Sequence, residues 1–392
     1  MRDIMESSEY FVDEALLQRV PKWRDYYAAK LGFRNHWYPV RLSSELGEGQ
    51  VIAATLCGVE LLLKRVDGVV FALRDRCIHR GVKFSDKVEC YTRDTITCWY
   101  HGFTYRWGDG VLTDILASPS SKAIGKRKVD SYPVEEAKGL IFVYMGDQGA
   151  TPQPLSEDVP PGFLDDDMVI HSARYDVGSN WRVGAENGFD GLHVYIHRTS
   201  PLLASTQRSL PIGHATESGK IFLQEEDGQP KGVLDPFEHH VSLWEGKIGG
   251  EVVVKGTKRM TGTNPNRTTG ASMWLPGCLR VDNFPDEGLF IYEWYVPETA
   301  DTHNYVITIG KRLTSEADKA AFEHEFWSRW KPISFEGFNN QDIEARVGLQ
   351  KFYKDDVAWL DEGLIEGDAP LIAWRELCHR HNRGIQKPED VR

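Results

Sequence analysis

The chain has 392 residues, 41% of them hydrophobic, and a formal charge of -12 from Lys+Arg 46 against Asp+Glu 58. That is enough apolar material for one large core or two ordinary ones, and the acidic balance argues against nucleic acid or an anionic membrane as partner. No apolar run reaches the roughly 20 residues of a membrane-spanning helix, and 6 cysteines spread this thinly do not make a disulfide framework. The polar, acidic start from Met1 to Tyr10 lacks the basic-then-apolar plan of a signal peptide, so a cytoplasmic address with reduced thiols is expected.

In chain order, Ala15, Leu16, Val20, Trp23 and Tyr27 recur at helical intervals and predict a short amphipathic helix over 13–31. It belongs to an N-terminal segment, 1–35, expected to pack on the C-terminal half of the chain. From 36 to 150, short β-branched and aromatic runs alternate with turn signals at Asp67-Gly68, Gly108-Asp109-Gly110 and Lys138-Gly139. Strands are predicted over 69–73, 95–97 and 140–144, in a small antiparallel β domain. The stretch 149–162 holds Pro152, Pro154, Pro160 and Pro161 and reads as a linker or long surface connection. In the remainder, 151–392, helices are predicted over 180–198, 331–353 and 356–383, with strands around 250–255, 271–274 and 289–296. The fold class expected is α+β, the second domain being an antiparallel sheet with helices on one face.

Two short pairs carry the chemistry of the β domain: Cys77-Ile78-His79 and Cys98-Trp99-Tyr100-His101. Two thiolates and two imidazoles so arranged suit a Rieske [2Fe–2S] cluster, with the cysteines on one iron and the histidines on the other. Gly81 and Gly102 follow the histidines and free the backbone to turn tightly there. A structural zinc site is the competing use of the same donors. The one-residue gap in the first pair, the mixed pairs and the aromatic surroundings (Trp99, Tyr100, Phe103, Tyr105, Trp107) favour the cluster.

A second constellation lies at 186–197. On a helix, His193 and His197 would share a face, with Asp190 one turn earlier. With a carboxylate from elsewhere they would form the two-His, one-carboxylate triad of oxygen-activating non-haem Fe(II) enzymes. A zinc protease would need Glu beside the first His, where Val194 stands. A buried helix with two satisfied histidines is the bland alternative. Periodicity alone leaves Glu336, Asp342 and Glu344 equal as the carboxylate. His239-His240 and Cys378-His379-Arg380-His381 lack a complementary pair, Cys90 has no His at a useful interval, and Cys57 and Cys278 read as buried apolar residues.

Taken together, Cys77 to Gly81, Cys98 to Phe103, the Asn187, Asp190, His193, His197 series and Phe338 to Ile343 resemble the catalytic α subunit of Rieske non-haem iron aromatic ring-hydroxylating oxygenases. Respiratory Rieske proteins carry two further bridging cysteines; Val82 and Tyr100 stand at those places here. The resemblance selects Asp342 as third iron ligand and implies that Asp190 links a cluster His to an iron His of a neighbouring subunit. Segments 33–39 and 337–340 look like the branch built of α subunits alone, a homotrimer attacking carbazole or related polycycles with O2. It places Gly188, Ala271, Leu279, Val281, Phe284, Phe338 and Asn339 around the substrate. The Gly188 carbonyl would accept a heterocycle N–H, and Ala271 stands where a larger aliphatic residue is expected.

No Gly-x-Gly-x-x-Gly turn occurs, so electrons would come from a ferredoxin and a separate NAD(P)H-dependent reductase. Lys122, Lys126, Arg127 and Lys128 form a basic run that would dock an acidic ferredoxin or simply be solvated. Two other functions remain open: monooxygenation or oxidative demethylation by the same irons, and a Rieske electron carrier with an appended domain.

Overall fold

The computed structural model describes residues 12–147, 149–202, 211–212, 222–226, 229–235, 239–242, 258–261 and 271–391. Two short helices, α1 (Glu14–Leu17) and α2 (Arg24–Ala28), replace the single helix expected over 13–31. Pro21 lacks the N–H a continuing helix needs and disfavours helical conformation at Val20. Tyr26 and Tyr27 then anchor α2, their rings lying 6.1 and 6.3 Å from that of Trp359.

Ten strands follow: β1 (His36–Leu42), β2 (Val51–Leu56), β3 (Val59–Val66), β4 (Val69–Arg74), β5 (Thr95–Thr97), β6 (Phe103–Arg106), β7 (Leu112–Ile115), β8 (Ser131–Tyr132), β9 (Val134–Ala137) and β10 (Leu140–Met145). They form three antiparallel sheets, ordered β2-β3-β4-β8, β5-β6-β7 and β1-β10-β9. The turn signals hold. Asp67-Gly68 joins β3 to β4 with φ of 52 and 78°, and Lys138-Gly139 joins β9 to β10 with φ of 53 and 76°, the conformation two-residue hairpins demand.

The stretch 149–162 is not a loose surface connection. Leu155 and Val159 are buried in the core beneath β1 and β10. Asp158, fully buried, accepts from the Trp37 backbone N–H at 2.9 Å, lies 2.7 Å from His36 Nδ1 and pairs with Arg383. Prolines fix the path of this segment, and a carboxylate held from three sides pins it between β1 and the C-terminal end.

The second domain is built on a seven-stranded antiparallel sheet in the order β11-β20-β19-β18-β17-β14-β13. Its members are β11 (Met168–Val177), β13 (Phe222–Glu226), β14 (Gln229–Asp235), β17 (Ala271–Trp274), β18 (Cys278–Asp282), β19 (Leu289–Pro297) and β20 (His303–Arg312). Strands β12 (Pro211–Ile212), β15 (His239–Ser242) and β16 (Lys258–Thr261) form a separate small sheet. The strand expected over 250–255 lies outside the described residues.

Alternation along β19 and β20 sorts the two faces. Ile291, Tyr295, Tyr305, Ile307 and Ile309 join the core that holds the helices. Tyr292, Trp294, Val296 and Val306 join the core shared with Phe142 and Val143 of β10. Helices therefore cover one face, as expected, and the N-terminal β domain covers the other.

On the helical face, α3 (Trp181–Phe189) is capped by Asn180, whose side chain accepts from Arg182 N at 3.1 Å. It stops at Asp190, and His193–Thr199 forms a 3₁₀ turn, so the single helix expected over 180–198 is two elements. The Asp190 carboxylate takes the Leu192 N–H at 2.7 Å in place of a helical carbonyl. After α4 (Glu316–Glu325), the wide-pitched turn Phe326–Glu336 contains Pro332 and ends at Gly337, where α5 (Asn339–Tyr353) begins. The helix expected over 331–353 is therefore broken at Gly337 and Phe338, between the wide-pitched turn and α5. Over 356–383, two 3₁₀ turns precede α6 (Ala369–His381), which starts at Pro370 in its first turn. Among the described residues, no helix is long and apolar enough to cross a membrane.

Candidate metal centres

The loops after β4 and β5 are built alike. Cys77 N donates to Val82 O at 2.9 Å and Gly81 N to Cys77 O at 2.9 Å; Cys98 N donates to Phe103 O at 2.7 Å and Gly102 N to Cys98 O at 2.9 Å. Each loop closes through a glycine at positive φ, 75° at Gly81 and 69° at Gly102. The result sets the two pairs face to face. Nδ1 of His79 and of His101 lie 3.1 Å apart, while Cys77 and Cys98 are 2% and 1% exposed beneath them.

Tyr105 Oη lies 3.2 Å from the Cys77 sulfur, His79 stacks on Phe103 with ring centroids 4.6 Å apart, and Trp99 Nε1 donates to Lys83 O at 2.9 Å. Burial and the neighbouring Cys77 thiol push the Cys98 thiol up. Burial, His79 and Arg80 push the His101 imidazole down, so neutral imidazole is favoured. Two buried sulfurs under two converging ring nitrogens form a donor set that fits a mixed Cys₂His₂ cluster.

The second centre joins the 3₁₀ turn to α5. His193 Nε2 and His197 Nε2 lie 3.3 and 3.4 Å from Asp342 Oδ1, and one ligand atom from each of these residues lies within 4.8 Å of the others. The expected sharing of an α-helical face is not what unites them. In a 3₁₀ turn, positions four apart diverge by about 120°, and the two rings stand 86° to one another while both aim at Asp342.

Their outer nitrogens are tied back. His193 Nδ1 donates to the Asp190 carbonyl, and His197 Nδ1 donates to Gln341 Oε1 at 3.0 Å. With protons held on Nδ1, both Nε2 atoms present lone pairs inward. His197 Nε2 and Asp342 Oδ1 are buried with no hydrogen-bond partner, the condition a divalent ion would relieve. Burial alone would raise the Asp342 carboxyl, yet His197, His193 and Arg346 hold it below its ordinary value, and burial holds the His193 imidazole down. Carboxylate and neutral imidazole are the forms a metal needs.

Beneath Asp342 runs a buried polar network to which the sequence assigned no role. Arg346, one turn further along α5, donates from Nε to Asn187 Oδ1 at 2.6 Å and lies over the rings of Tyr295 and Tyr305 at 5.0 and 4.3 Å. Glu293 lies 3.6 Å from Arg346 Nη2 and accepts from Tyr295 Oη at 2.6 Å. Asn187 and Gly188 pack α3 against this network, and a Cβ at Gly188 would stand 1.8 Å from Tyr295 Oη. A residue four places from a candidate ligand was the available signal for Arg346. Gln341 adjoins Asp342 in sequence and has no signal of its own.

The residues expected around the substrate fall in one region. Ala271, Leu279 and Phe338 are buried, and Val281 and Phe284 pack on the same core. Ala271 pairs with Val281 across β17 and β18. Phe338 stacks on the His197 ring at 3.5 Å and meets Phe284 at 5.4 Å. Asn339 is buried, while Gly188 is half-buried.

Gln341→Leu removes the acceptor that fixes the His197 tautomer, and metal affinity at this centre is expected to fall about 10- to 100-fold. Competition with a chelator measures it, and unaltered affinity would show that Gln341 does not orient His197.

Fold and donor sets define a class: the chain belongs to the Rieske ring-hydroxylating oxygenases, matching the Rieske [2Fe-2S] domain family over residues 36–133 and the homotrimeric ring hydroxylases over residues 144–386. These enzymes carry the [2Fe–2S] cluster and use a mononuclear iron with O2. Among individual relatives, the chain is 48% identical over 388 residues to the terminal oxygenase component of carbazole 1,9a-dioxygenase from Metapseudomonas resinovorans, covering 97% of this chain and 99% of the relative. Two solved structures are similar throughout. The terminal oxygenase of carbazole 1,9a-dioxygenase from Novosphingobium sp. KA1 superposes with TM-score 0.85 at 46% identity, over 96% of this chain and 100% of that one. The reduced complex between oxygenase and ferredoxin in carbazole 1,9a-dioxygenase gives TM-score 0.88 at 47% identity, over 97% of each chain.

Proposed function

We propose that the chain is the terminal oxygenase of a multicomponent Rieske dioxygenase that adds both atoms of O2 to a polycyclic or heterocyclic aromatic ring, with angular attack on carbazole or a close analogue. Near-identical length and 48% identity to a carbazole 1,9a-dioxygenase oxygenase support the substrate class. In this reading residues 36–150 are the Rieske domain, 151–392 the catalytic domain and 1–35 a segment packed on the latter. The enzyme is a cytoplasmic homotrimer fed by a ferredoxin and a separate NAD(P)H-dependent reductase.

Cys77, His79, Cys98 and His101 would hold the cluster, and His193, His197 and Asp342 the Fe(II). When bound, these groups supply single electrons and a place for dioxygen beside the ring. The chain's own residues do the rest. Gln341 and the Asp190 carbonyl keep each imidazole proton on Nδ1, Arg346 and the two histidines keep Asp342 ionised, and Phe338 covers His197 against water. Leu279, Val281 and Phe284 give a planar apolar ring its contacts.

Ile78, Tyr100 and Leu116 leave an exposed apolar rim beside His79 and His101, which suits contact with a neighbouring subunit. Asp190 would bridge the two centres across that contact. Asp190→Asn is accordingly expected to retain both metal centres while cutting electron transfer between them by more than about 100-fold. Stopped-flow oxidation of the reduced cluster reads this out, and wild-type rates would refute the bridge. Lys122, Lys126, Arg127 and Lys128 are exposed and together offer an acidic ferredoxin a docking surface.

The observation that carries the reading is the convergence of His193, His197 and Asp342, outer nitrogens tied back and inner acceptors unpartnered, in a chain that also pairs two Cys-His loops. Turnover of carbazole under ¹⁸O₂ with ferredoxin and reductase tests it. Two labelled oxygens in the ring product support dioxygenation. One label, as in monooxygenation or demethylation, or reduction without product would contradict it.

A further inference from the structure

Three tyrosines stand in register on the helical face of the large sheet, on the adjoining strands β19, β20 and β11. Tyr295 is opposite Tyr305, and Tyr305 is opposite Tyr175. Their rings form a ladder. The centroids of Tyr295 and Tyr305 lie 5.7 Å apart with 17° between the planes, and those of Tyr305 and Tyr175 lie 6.3 Å apart with 33°. Cross-strand aromatic pairs commonly serve a sheet by packing alone.

This ladder has two unlike ends. β11 ends the order of the sheet, and Tyr175 on it is half-buried. Tyr295 and Tyr305 are fully buried between the elements that carry the iron-site residues. A Cβ at Gly188, in the helix that leads toward His193, would stand 1.8 Å from Tyr295 Oη. Asn339, one turn before Asp342 on α5, donates to Tyr305 Oη at 3.2 Å, and Arg346, one turn after Asp342, lies over both rings.

A phenol gives up an electron most easily when its proton leaves as well, and a guanidinium overhead disfavours any second positive charge on the ring. Glu293 is placed to take that proton. Its Oε2 accepts from Tyr295 Oη at 2.6 Å and its Oε1 from Asn339 Nδ2 at 3.2 Å, so both oxygens act as acceptors and the group is a carboxylate. Burial pushes the Glu293 carboxyl up while Arg346 draws it down, and Glu293 bonds to the Tyr305 phenol as well as to Tyr295.

We propose that Tyr295, Tyr305 and Tyr175 conduct an oxidising equivalent out of the iron site when oxygen is activated there and no ring is attacked. The inference rests on the proposed function, because it takes iron and oxygen to meet at His193, His197 and Asp342. Electrons move inward one at a time. Tyr295 gives one to the site, Tyr305 refills Tyr295, and Tyr175 refills Tyr305. In each inner step the phenolic proton rests on Glu293 and returns when the electron is replaced. Tyr175 releases its own proton to solvent. The site gains one electron and Tyr175 is left one hydrogen atom short, which an external thiol restores by giving up its hydrogen.

The full metal-loaded chain, cluster oxidised and iron ferrous, is mixed with hydrogen peroxide without aromatic substrate and freeze-quenched for EPR. A tyrosyl signal is expected, narrowed in protein made with ring-deuterated tyrosine and quenched by added thiol. Tyr295→Phe is expected to lose the signal. Tyr175→Phe is expected to keep it on the inner rings, lose its quenching by thiol and lose iron-site activity faster in peroxide. If Tyr295→Phe fails to fold or to load metal, Tyr305→Phe interrupts the ladder at its middle and is expected to show the same loss of quenching. A packing role alone would lower the melting temperature of these variants and leave signal, quenching and inactivation as in the wild type. That result, or a wild type that oxidises carbazole yet gives no tyrosyl signal, would overturn this inference alone. A wild type that neither oxidises carbazole nor consumes peroxide would overturn the proposed function with it.

Discussion

Asp342→Asn is expected to purify with about two irons per chain in place of about three, keep its cluster absorbance, and lose ring oxidation by more than about 100-fold. Asp342 is the one member of the His193–His197–Asp342 set that brings negative charge. Its Oδ1 stands 3.3 and 3.4 Å from the two Nε2 atoms, buried and otherwise unpartnered. The amide of asparagine is neutral and as ready to turn a donor inward as an acceptor. Two imidazoles alone then face a divalent ion in a water-poor setting, where the charge balance fails. Cys77, His79, Cys98 and His101 lie on two loops of the β domain, apart from α5, so an intact cluster spectrum is the internal control for folding. Iron analysis and the visible spectrum decide the matter. An unchanged iron count in this variant would mean that another carboxylate, Glu336 or Glu344, completes the set.

The second large effect concerns stability. Arg375→Met is expected to cost about 3–5 kcal/mol, the penalty for leaving buried charge without its partner. The guanidinium is fully buried between two carboxylates. It reaches Glu186 Oε1 at 2.7 Å from Nε, and Glu362 Oε2 and Oε1 at 2.7 and 2.8 Å from Nη1 and Nη2. Trp23 lies 4.3 Å beneath it. Because Glu186 sits on α3 one residue before Asn187, this cluster ties the N-terminal segment and α6 to the helix that leads toward His193 and His197.

The pH dependence of that variant has a definite sign. Burial pushes the Glu186 carboxyl up, Arg375 draws it down, and Glu362 pushes it further up. Without the arginine the native state binds more protons than the unfolded chain around the carboxylate range. Stability is then retained at low pH and lost as pH rises through the raised native value. Urea unfolding of Arg375→Met should show a smaller deficit at pH 5 than at pH 8. An equal deficit at both, or a larger one at pH 5, would contradict the account.

Both donor sets were legible from the sequence because the chemistry they suit admits few residue types. Cys77, His79, Cys98 and His101 stand out by spacing, and the loops that carry them close through Gly81 and Gly102 as glycine requires. Hairpins at Asp67-Gly68 and Lys138-Gly139 were legible for the same local reason. Helix ends were not. The apolar pattern over 180–198 runs on past Asp190, where a side chain competes for the backbone, and that over 331–353 runs across the break at Gly337 and Phe338. Residues 149–162 read as a surface connection because the partners of Asp158, His36 and Arg383, are far away in sequence. The same distance hid Glu293 and Arg346, which acquire their roles only when β19 meets α5.

One polypeptide holding two different metal centres is the premise on which the proposed oxygenase rests. Iron, zinc and acid-labile sulfide, counted per chain on protein purified without oxygen, test this most directly. The expected result is about three irons and about two sulfides, with no stoichiometric zinc. Zinc in either place, or two irons with their sulfides and nothing at His193, His197 and Asp342, would contradict it.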